Sequence, residues 1–260
     1  MYLSSLWEYP VKSCQSRSLD SACVTPEGFI NDRRYLFVTP EGRFVTQREF
    51  PKMVKIVAYQ ENQELVVELN GKQQRFAKAD FDSDFEVTIW KDRVIARLAK
   101  QPPSLVADFL GIKLALVELP NKNRIISDAS ANGHVSFADG LPYLLTTSGS
   151  LAELNSRLEK PVNMLNFRPN LVIKNQEAFA EDSWQRIQVG EVTFRAVKPC
   201  SRCIMTTVDT STGEPSQDRE PLVTLASYRN ITDQGIIFGM NLIAENNGWI
   251  HLQDPVEVLD

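Results

Sequence analysis

Short apolar runs separated by turn residues constrain this chain more than any other feature. Residues 34–38, 53–59 and 64–69 are each a few residues long and rich in β-branched or aromatic side chains, which suit a pleated, half-buried surface. Asn70-Gly71 ends the third run. Both residues tolerate positive φ, so the pair predicts a tight hairpin that returns through Lys72 to Phe76. Residues 85–90 and 93–98 predict a second hairpin about Lys91-Asp92. Further strands are predicted at 170–174, 186–189, 192–197 and 204–208. Residues 236–259 read as β with a turn at Asn246-Asn247-Gly248.

Helical patterns are fewer. Residues 104–110 follow Pro102-Pro103 and meet Gly111, a residue suited to end a helix. Residues 150–158 carry Ser150 and Glu153 at capping-box spacing. Residues 220–229 place Pro221 at the first helical position. Many short strands and few helices predict a mainly β, α+β chain with barrel-like architecture. Residues 121–140 are polar and without period. A loop of that length is usually functional or mobile, and it suggests a boundary near residue 120, with domains at 1–120 and 121–260.

Composition narrows the function. The 260 residues are 43% hydrophobic, enough to bury a real core, and the net charge is −5. Without a long basic run interleaved with aromatics, nucleic acid is excluded as a bulk polyanionic partner. A small anion needs only a few local cations. No apolar stretch approaches the length of a membrane span. Residues 1–7 lack the basic-then-apolar pattern of a signal peptide. Four cysteines do not make a disulfide framework in a chain this long. The expectation is a cytoplasmic protein with reduced thiols.

The chemistry concentrates in Val197-Lys198-Pro199-Cys200-Ser201-Arg202-Cys203-Ile204-Met205-Thr206-Thr207-Val208-Asp209. A thiol among cations favours its thiolate, the form that attacks electrophiles and binds soft metals. The run is therefore a reactive thiol or a metal ligand. Tetrahedral zinc needs two ligands beyond Cys200 and Cys203. Cys14 and Cys23 lie nine apart, and His134 and His251 are isolated. Thioredoxin-like exchange opens a helix after a strand, whereas these cysteines run into a strand-like segment. No Gly-x-Ser-x-Gly elbow supports a serine triad. What remains is a soft-metal site with one thiolate beside an anionic cofactor. Lys12-Ser13, Asp32-Arg33-Arg34 and Asn166-Phe167-Arg168-Pro169-Asn170 supply suitable polar groups.

These residues match a family pattern. The run from Lys198 to Asp209, followed by Thr212-Gly213-Glu214 and residues 220–225, resembles the signature of MOSC domains (molybdenum cofactor sulfurase C-terminal). Tyr9-Pro10-Val11-Lys12-Ser13-Cys14 resembles the opening of the associated N-terminal β-barrel domain. Residues 154–158, 166–170 and 181–184 are similar to the mitochondrial amidoxime-reducing component and the bacterial YcbX-like proteins. The resemblance covers nearly the whole chain. It implies an N-terminal barrel packed on a MOSC barrel and a molybdenum cofactor (Mo-molybdopterin) whose metal is bound by Cys203. It further implies cofactor contacts from Lys12, Ser13, Arg33, Arg168, Asn170, Ser201 and Arg202. A Thr-Ser pair of the family corresponds here to Gly140-Leu141, where only backbone contacts persist.

The implied activity is two-electron reduction of hydroxylamines, amidoximes and N-hydroxylated bases. Asp209 is a candidate catalytic relay, or else the carboxylate that opens the turn at 210–213. The alternative is a sulfur-carrier or cofactor-carrier module without reductase activity. Many bacterial relatives continue into a plant-type iron–sulfur domain. No such cysteine cluster occurs up to Asp260, so electrons are expected from a missing domain or from a flavin reductase, ferredoxin or cytochrome. Cys14, Cys23 and Cys200 are otherwise read as small buried side chains. Lys198 and His134 read as solvated and His251 as structural, while Trp7, Trp90, Trp184 and Trp249 read as core or rim packing.

Overall fold

The computed structural model describes residues 1–128 and 130–260; Ala129, within the polar stretch singled out above, lies outside the described residues. The chain is mainly β with added helices, as its sequence pattern requires. A nine-stranded sheet forms the largest layer. Its order is Val256–Val258, Arg186–Val189, Val192–Ser201, Gly235–Ala244, Tyr143–Thr147, Leu171–Lys174, Tyr2–Glu8 and Arg17–Leu19, with Asn230–Ile231 added beside Gly235–Ala244. Tyr2–Glu8 therefore lies between its sequence neighbour Arg17–Leu19 and Leu171–Lys174, a strand from the far half of the chain.

Three smaller sheets complete the fold. One runs Tyr35–Val38, Ala115–Glu118, Asp92–Ala99, Phe81–Ile89. Another is the meander Val57–Glu61, Glu64–Leu69, Lys72–Ala77. In the third, Gly248–His251 pairs with Ser21–Thr25, which in turn pairs with Gly28–Phe29. The strand after Asn246-Asn247 thus leaves Gly235–Ala244 instead of folding back on it. Asn246 fixes the departure by accepting from Thr193 N (2.8 Å) and donating to Glu191 O (3.1 Å).

Several local readings hold. Leu69 pairs with Lys72 across Asn70 (φ 51°) and Gly71 (φ 75°), a two-residue turn whose positive φ values match the twist of its strands. The helix Ser104–Leu110 ends on Gly111 in the left-handed region. Others shift for visible reasons. The second hairpin turns at Trp90-Lys91, because Ile89 pairs with Asp92. The helix Ser148–Arg157 starts earlier than its capping box suggested. Thr147 caps it, accepting from Ser150 N at 3.2 Å, while the Ser150 hydroxyl donates to the buried Glu181. The next helix is Leu222–Tyr228, with Pro221 as its cap residue rather than its first turn. Residues 204–208 are not a strand. Ile204–Thr207 form a 3₁₀ turn, since the Thr206 and Thr207 hydroxyls bond back to Cys203 O (2.9 Å) and Ile204 O (2.8 Å). Such local bonds give threonine an alternative to a sheet ladder.

Two main apolar cores result. One lies between the large sheet and the Ser21–Thr25 sheet, and includes Leu6, Val24, Tyr143, Leu145, Phe194 and Ile250. The other packs the meander against Ser104–Leu110 and includes Phe37, Met53, Leu65, Phe76 and Leu116. Phe194 has no exposed surface and meets Tyr143 edge-on, with centroids 5.3 Å apart. Phe194→Ala is expected to cost about 3–5 kcal/mol through the cavity it leaves, read as a lower urea midpoint with an unchanged slope.

Candidate functional site: a cationic cleft around Cys203

Gly235–Ala244 hydrogen-bonds to Val192–Ser201 as far as Ser201, and Arg202 N donates to Ile236 O at 2.7 Å. The chain then turns at Cys203, which opens the 3₁₀ segment in extended backbone. This delivers the Lys198–Cys203 run to the wall of a cleft of about 720 Å³. That volume suits a small-molecule or cofactor site. Every cofactor-contact residue inferred from the sequence lines it: Lys12, Ser13 and Arg33 from the first segment; Gly140 and Leu141 before Tyr143–Thr147. Arg168 and Asn170 come from the turn before Leu171–Lys174, and Ser201, Arg202 and Cys203 from the thiol run.

The lining is strongly cationic in an acidic chain. Eight of its residues are lysine or arginine and two are aspartate. Three polar positions take left-handed backbone: Ser13 (φ 67°), Arg33 (φ 50°) and Arg168 (φ 54°). Residues without glycine's freedom adopt this region rarely and at a cost of about 1 kcal/mol or more. Arg168 is the residue that ends the 3₁₀ turn Met164–Phe167, which Asn163 and Asn166 cap reciprocally. The Asn166 amide also donates to Thr206 O and Val208 O, each at 3.0 Å. It thereby ties the arginine-bearing turn to the segment after Cys203.

A polar layer behind the cleft fixes the guanidiniums. Arg33 and Arg168 lie 4.4 and 4.1 Å from the centroid of the Tyr9 ring, in cation–π contact. Arg33 also pairs with the fully buried Asp32 and donates to Asn170 Oδ1 at 2.9 Å. Asp32 accepts from Tyr9 N at 2.9 Å. Arg168 donates to Cys14 O at 2.8 Å. Arg202 donates to Phe167 O (2.6 Å) and to the Cys200 sulfur (2.8 Å), while its buried Nε has no partner among the described residues.

Burial shifts several groups here. It pushes the Tyr9 phenol up to about 12 and the Cys14 thiol up to about 12, so both stay neutral. Burial draws Lys12 down to about 8 against the opposing pull of Asp139. Burial tends to raise Asp139, but Lys12 and Arg48 outweigh it and hold the carboxyl below the usual range. Its side chain is half open to solvent, which agrees with an ionised state.

The structure also adds and removes residues. Arg48, Asp139, Arg124 and Trp90 line the cleft without any signal in spacing or period having marked them. Arg124 is buried; it binds Asp92 and donates to Ser136 O at 2.9 Å, which orders the polar stretch that carries Asp139. Trp90 lines the cleft rather than serving only as packing, because the hairpin turns one residue early. Cys200 lines the cleft too and is not a buried hydrophobe. Lys198 is half-exposed and pairs with Asp128. Asp209 is absent from the lining. Its carboxylate accepts from Ser211 N (2.8 Å), Ser211 Oγ (2.6 Å) and Thr212 N (2.9 Å), and these bonds draw it down to about 2. It closes the turn at 210–213.

Comparison with known proteins identifies the family of the chain. Residues 132–257 match the family model of the MOSC domain, and residues 1–113 match that of the MOSC N-terminal beta barrel domain. The chain is 33% identical to the human mitochondrial amidoxime-reducing component 1, over 99% of this chain and 82% of that protein. It is 32% identical to the bovine mitochondrial amidoxime reducing component 2, over 98% of this chain and 82% of that protein. The chain belongs to the MOSC family. Among the described residues no helix is long and apolar enough to cross a membrane.

Glu8 gives this layer a pH dependence. It is 3% exposed, and burial, then repulsion from Asp32, raise its carboxyl to about 7 against the pull of Arg17. The folded state therefore keeps a proton that the unfolded chain releases above about pH 4.5. Stability from this source is present below that pH and is lost as pH rises through 7. Urea midpoints are expected to fall between pH 5 and 8 in the wild type, and Glu8→Gln is expected to remove most of that fall.

Proposed function

We propose that this protein is a molybdenum-cofactor-dependent reductase of N-hydroxylated compounds, with Cys203 as the metal's protein ligand. The observation that carries this reading is the convergence of Lys12, Arg33, Arg168 and Arg202 on one cleft that also holds the Cys203 thiol. Chain segments more than a hundred residues apart meet there. The lining fits such a group on three counts. The excess of cations suits an anionic cofactor. A buried Arg202 Nε is left without a partner among the described residues. A Cβ built on Gly140 meets nothing within 4 Å, so that position leaves open space. Among the described residues no group of three or more His, Cys, Asp or Glu surrounds the thiol. A metal held by Cys203 would bring most of its own ligands.

Lys12, Arg33, Arg168 and Arg202 would hold the anionic part of the cofactor, and the Asn170, Ser201 and Gly140-Leu141 positions would orient it. When bound, the cofactor supplies two-electron redox chemistry at a metal that accepts oxygen from the substrate. Reduction of the N–O bond consumes two electrons and two protons and releases water. Asp32, Tyr9 and Asp139 keep the cationic side chains in place whether or not an anion is present. The names of the relatives support an amidoxime or related N-hydroxylated substrate. Electrons would come from a separate flavin reductase, ferredoxin or cytochrome, or from an iron–sulfur domain beyond this chain. Four free thiols suit a reducing compartment such as the cytoplasm.

Protein purified from a cofactor-competent host is expected to contain about one molybdenum and one pterin per chain and to reduce amidoximes with an artificial electron donor. Cys203→Ala should lose that turnover by at least a hundredfold (on the order of a lost ligand), whereas Asp209→Asn should stay within about threefold of wild type, as for a surface turn residue. Full activity in Cys203→Ala refutes the assignment. A persulfide on Cys203, detected by mass spectrometry of molybdenum-free protein with no reductase activity, would instead establish a sulfur carrier.

A further inference from the structure

The cations of the cleft differ in how far the protein already occupies them. Lys12 is buried and bonds to Phe137 O (2.6 Å) and Asp139. Arg33, Arg168 and Arg202 are committed to backbone carbonyls, Asp32, Asn170 and the Cys200 sulfur. Arg124 is buried in the loop it orders. Arg48 is different. A guanidinium has five N–H donors, and among the described residues the Arg48 side chain makes one hydrogen bond, to Asp139 Oδ2 at 3.3 Å. Its side chain is a quarter exposed, and it lines the same cleft as the Cys203 thiol.

The same guanidinium lies 4.6 Å from the centroid of the Trp90 ring. Trp90 sits in the hairpin turn with φ 55°, a conformation uncommon for a bulky residue. Phe44 meets the indole edge-on at 5.1 Å. The indole is nonetheless 47% exposed while lining the cleft. A flat cation backed by a flat aromatic, next to the one thiol proposed as metal ligand, makes a shelf with two properties. Its N–H edge donates to an oxygen, and its faces favour planar, delocalised partners over tetrahedral ones.

We propose that Arg48, backed by Trp90 and anchored by Asp139, is the specificity-determining group of the cleft, selecting planar N-hydroxylated compounds over non-planar hydroxylamines. This rests on the reductase reading above. The Arg48 edge donates to the oxygen of the N–OH group. The plane of an amidoxime or an N-hydroxylated heteroaromatic base stacks along the Arg48–Trp90 shelf. An N-alkylhydroxylamine offers the same oxygen but no plane.

The test compares benzamidoxime with N-methylhydroxylamine in loaded wild type and in Arg48→Ala, Arg48→Lys, Trp90→Ala and Trp90→Phe. The ratio of their kcat/KM values should fall about tenfold in Arg48→Ala and Trp90→Ala, the size of one lost stacking contact, because the hydrogen bond to the shared oxygen is lost for both substrates and cancels in the ratio. The fall should come mainly through KM for benzamidoxime. Arg48→Lys keeps the charge without the plane and should behave like Arg48→Ala. Trp90→Phe should retain part of the preference, and it guards against an alanine variant that misfolds. A second readout needs no turnover. Benzamidoxime added to the purified protein should quench tryptophan emission saturably in wild type, and Trp90→Phe should abolish that component. An unchanged kcat/KM ratio in folded Arg48→Ala and Trp90→Ala, or equal quenching in wild type and Trp90→Phe, overturns the proposal. Should loaded wild type reduce neither compound, the reductase reading fails, and the quenching titration alone decides whether the shelf binds planar N-hydroxylated ligands.

Discussion

Like charges crowded into one cleft repel, and the way this repulsion is offset governs the structure around the site. Arg33 and Arg124 both disfavour the charge on Lys12, and Arg33 disfavours that on Arg168. The protein answers with a few well-placed counter-groups. Asp32 sits with no exposed surface behind Arg33. The Tyr9 ring lies within 4.4 Å of the Arg33 guanidinium and 4.1 Å of that of Arg168. Asp139 pairs with Lys12 and Arg48. These groups offset part of the positive charge and leave the lining with an excess of cations.

The fold's connectivity is what assembles this cationic wall. The strand Tyr2–Glu8 crosses to the large sheet and pairs with Leu171–Lys174. Without this pairing, Tyr9, Lys12 and Arg33 would not stand beside Arg168 and Asn170. Tyr9 OH donates to Pro169 O at 3.1 Å, and the Asn170 amide donates to Trp7 O at 3.1 Å, closing the join from both sides. The cationic wall therefore depends on contacts separated by well over a hundred residues, and a change in Tyr9 or Asp32 disturbs the cleft without touching a ligand.

Much of the fold is legible in sequence because its signals are local. Asn70-Gly71 demands a two-residue turn, and Gly111 ends a helix, each by its own φ freedom. The thiol run and the motif residues point to the same cleft that the folded chain builds. The misread parts are settled by bonds between side chains and distant or unusual backbone. Residues 204–207 carry β-branched side chains, yet two threonine hydroxyls bonding to nearby carbonyls close a 3₁₀ turn. Trp90 enters the cleft because it accepts a left-handed turn position that its side chain disfavours. Arg48 and Asp139 sit in irregular segments with no period to read, and only their approach to Lys12 and Cys203 in space reveals them.

The proposed sulfur–metal bond would form at Cys203, in the lining of the cationic cleft. X-ray absorption at the molybdenum edge, on loaded wild type and on Cys203→Ser, tests it most directly. The account predicts a loss of one sulfur neighbour, or of the metal itself, in the variant. Identical molybdenum spectra and contents in the two proteins, or zinc in place of molybdenum in the wild type, would contradict it.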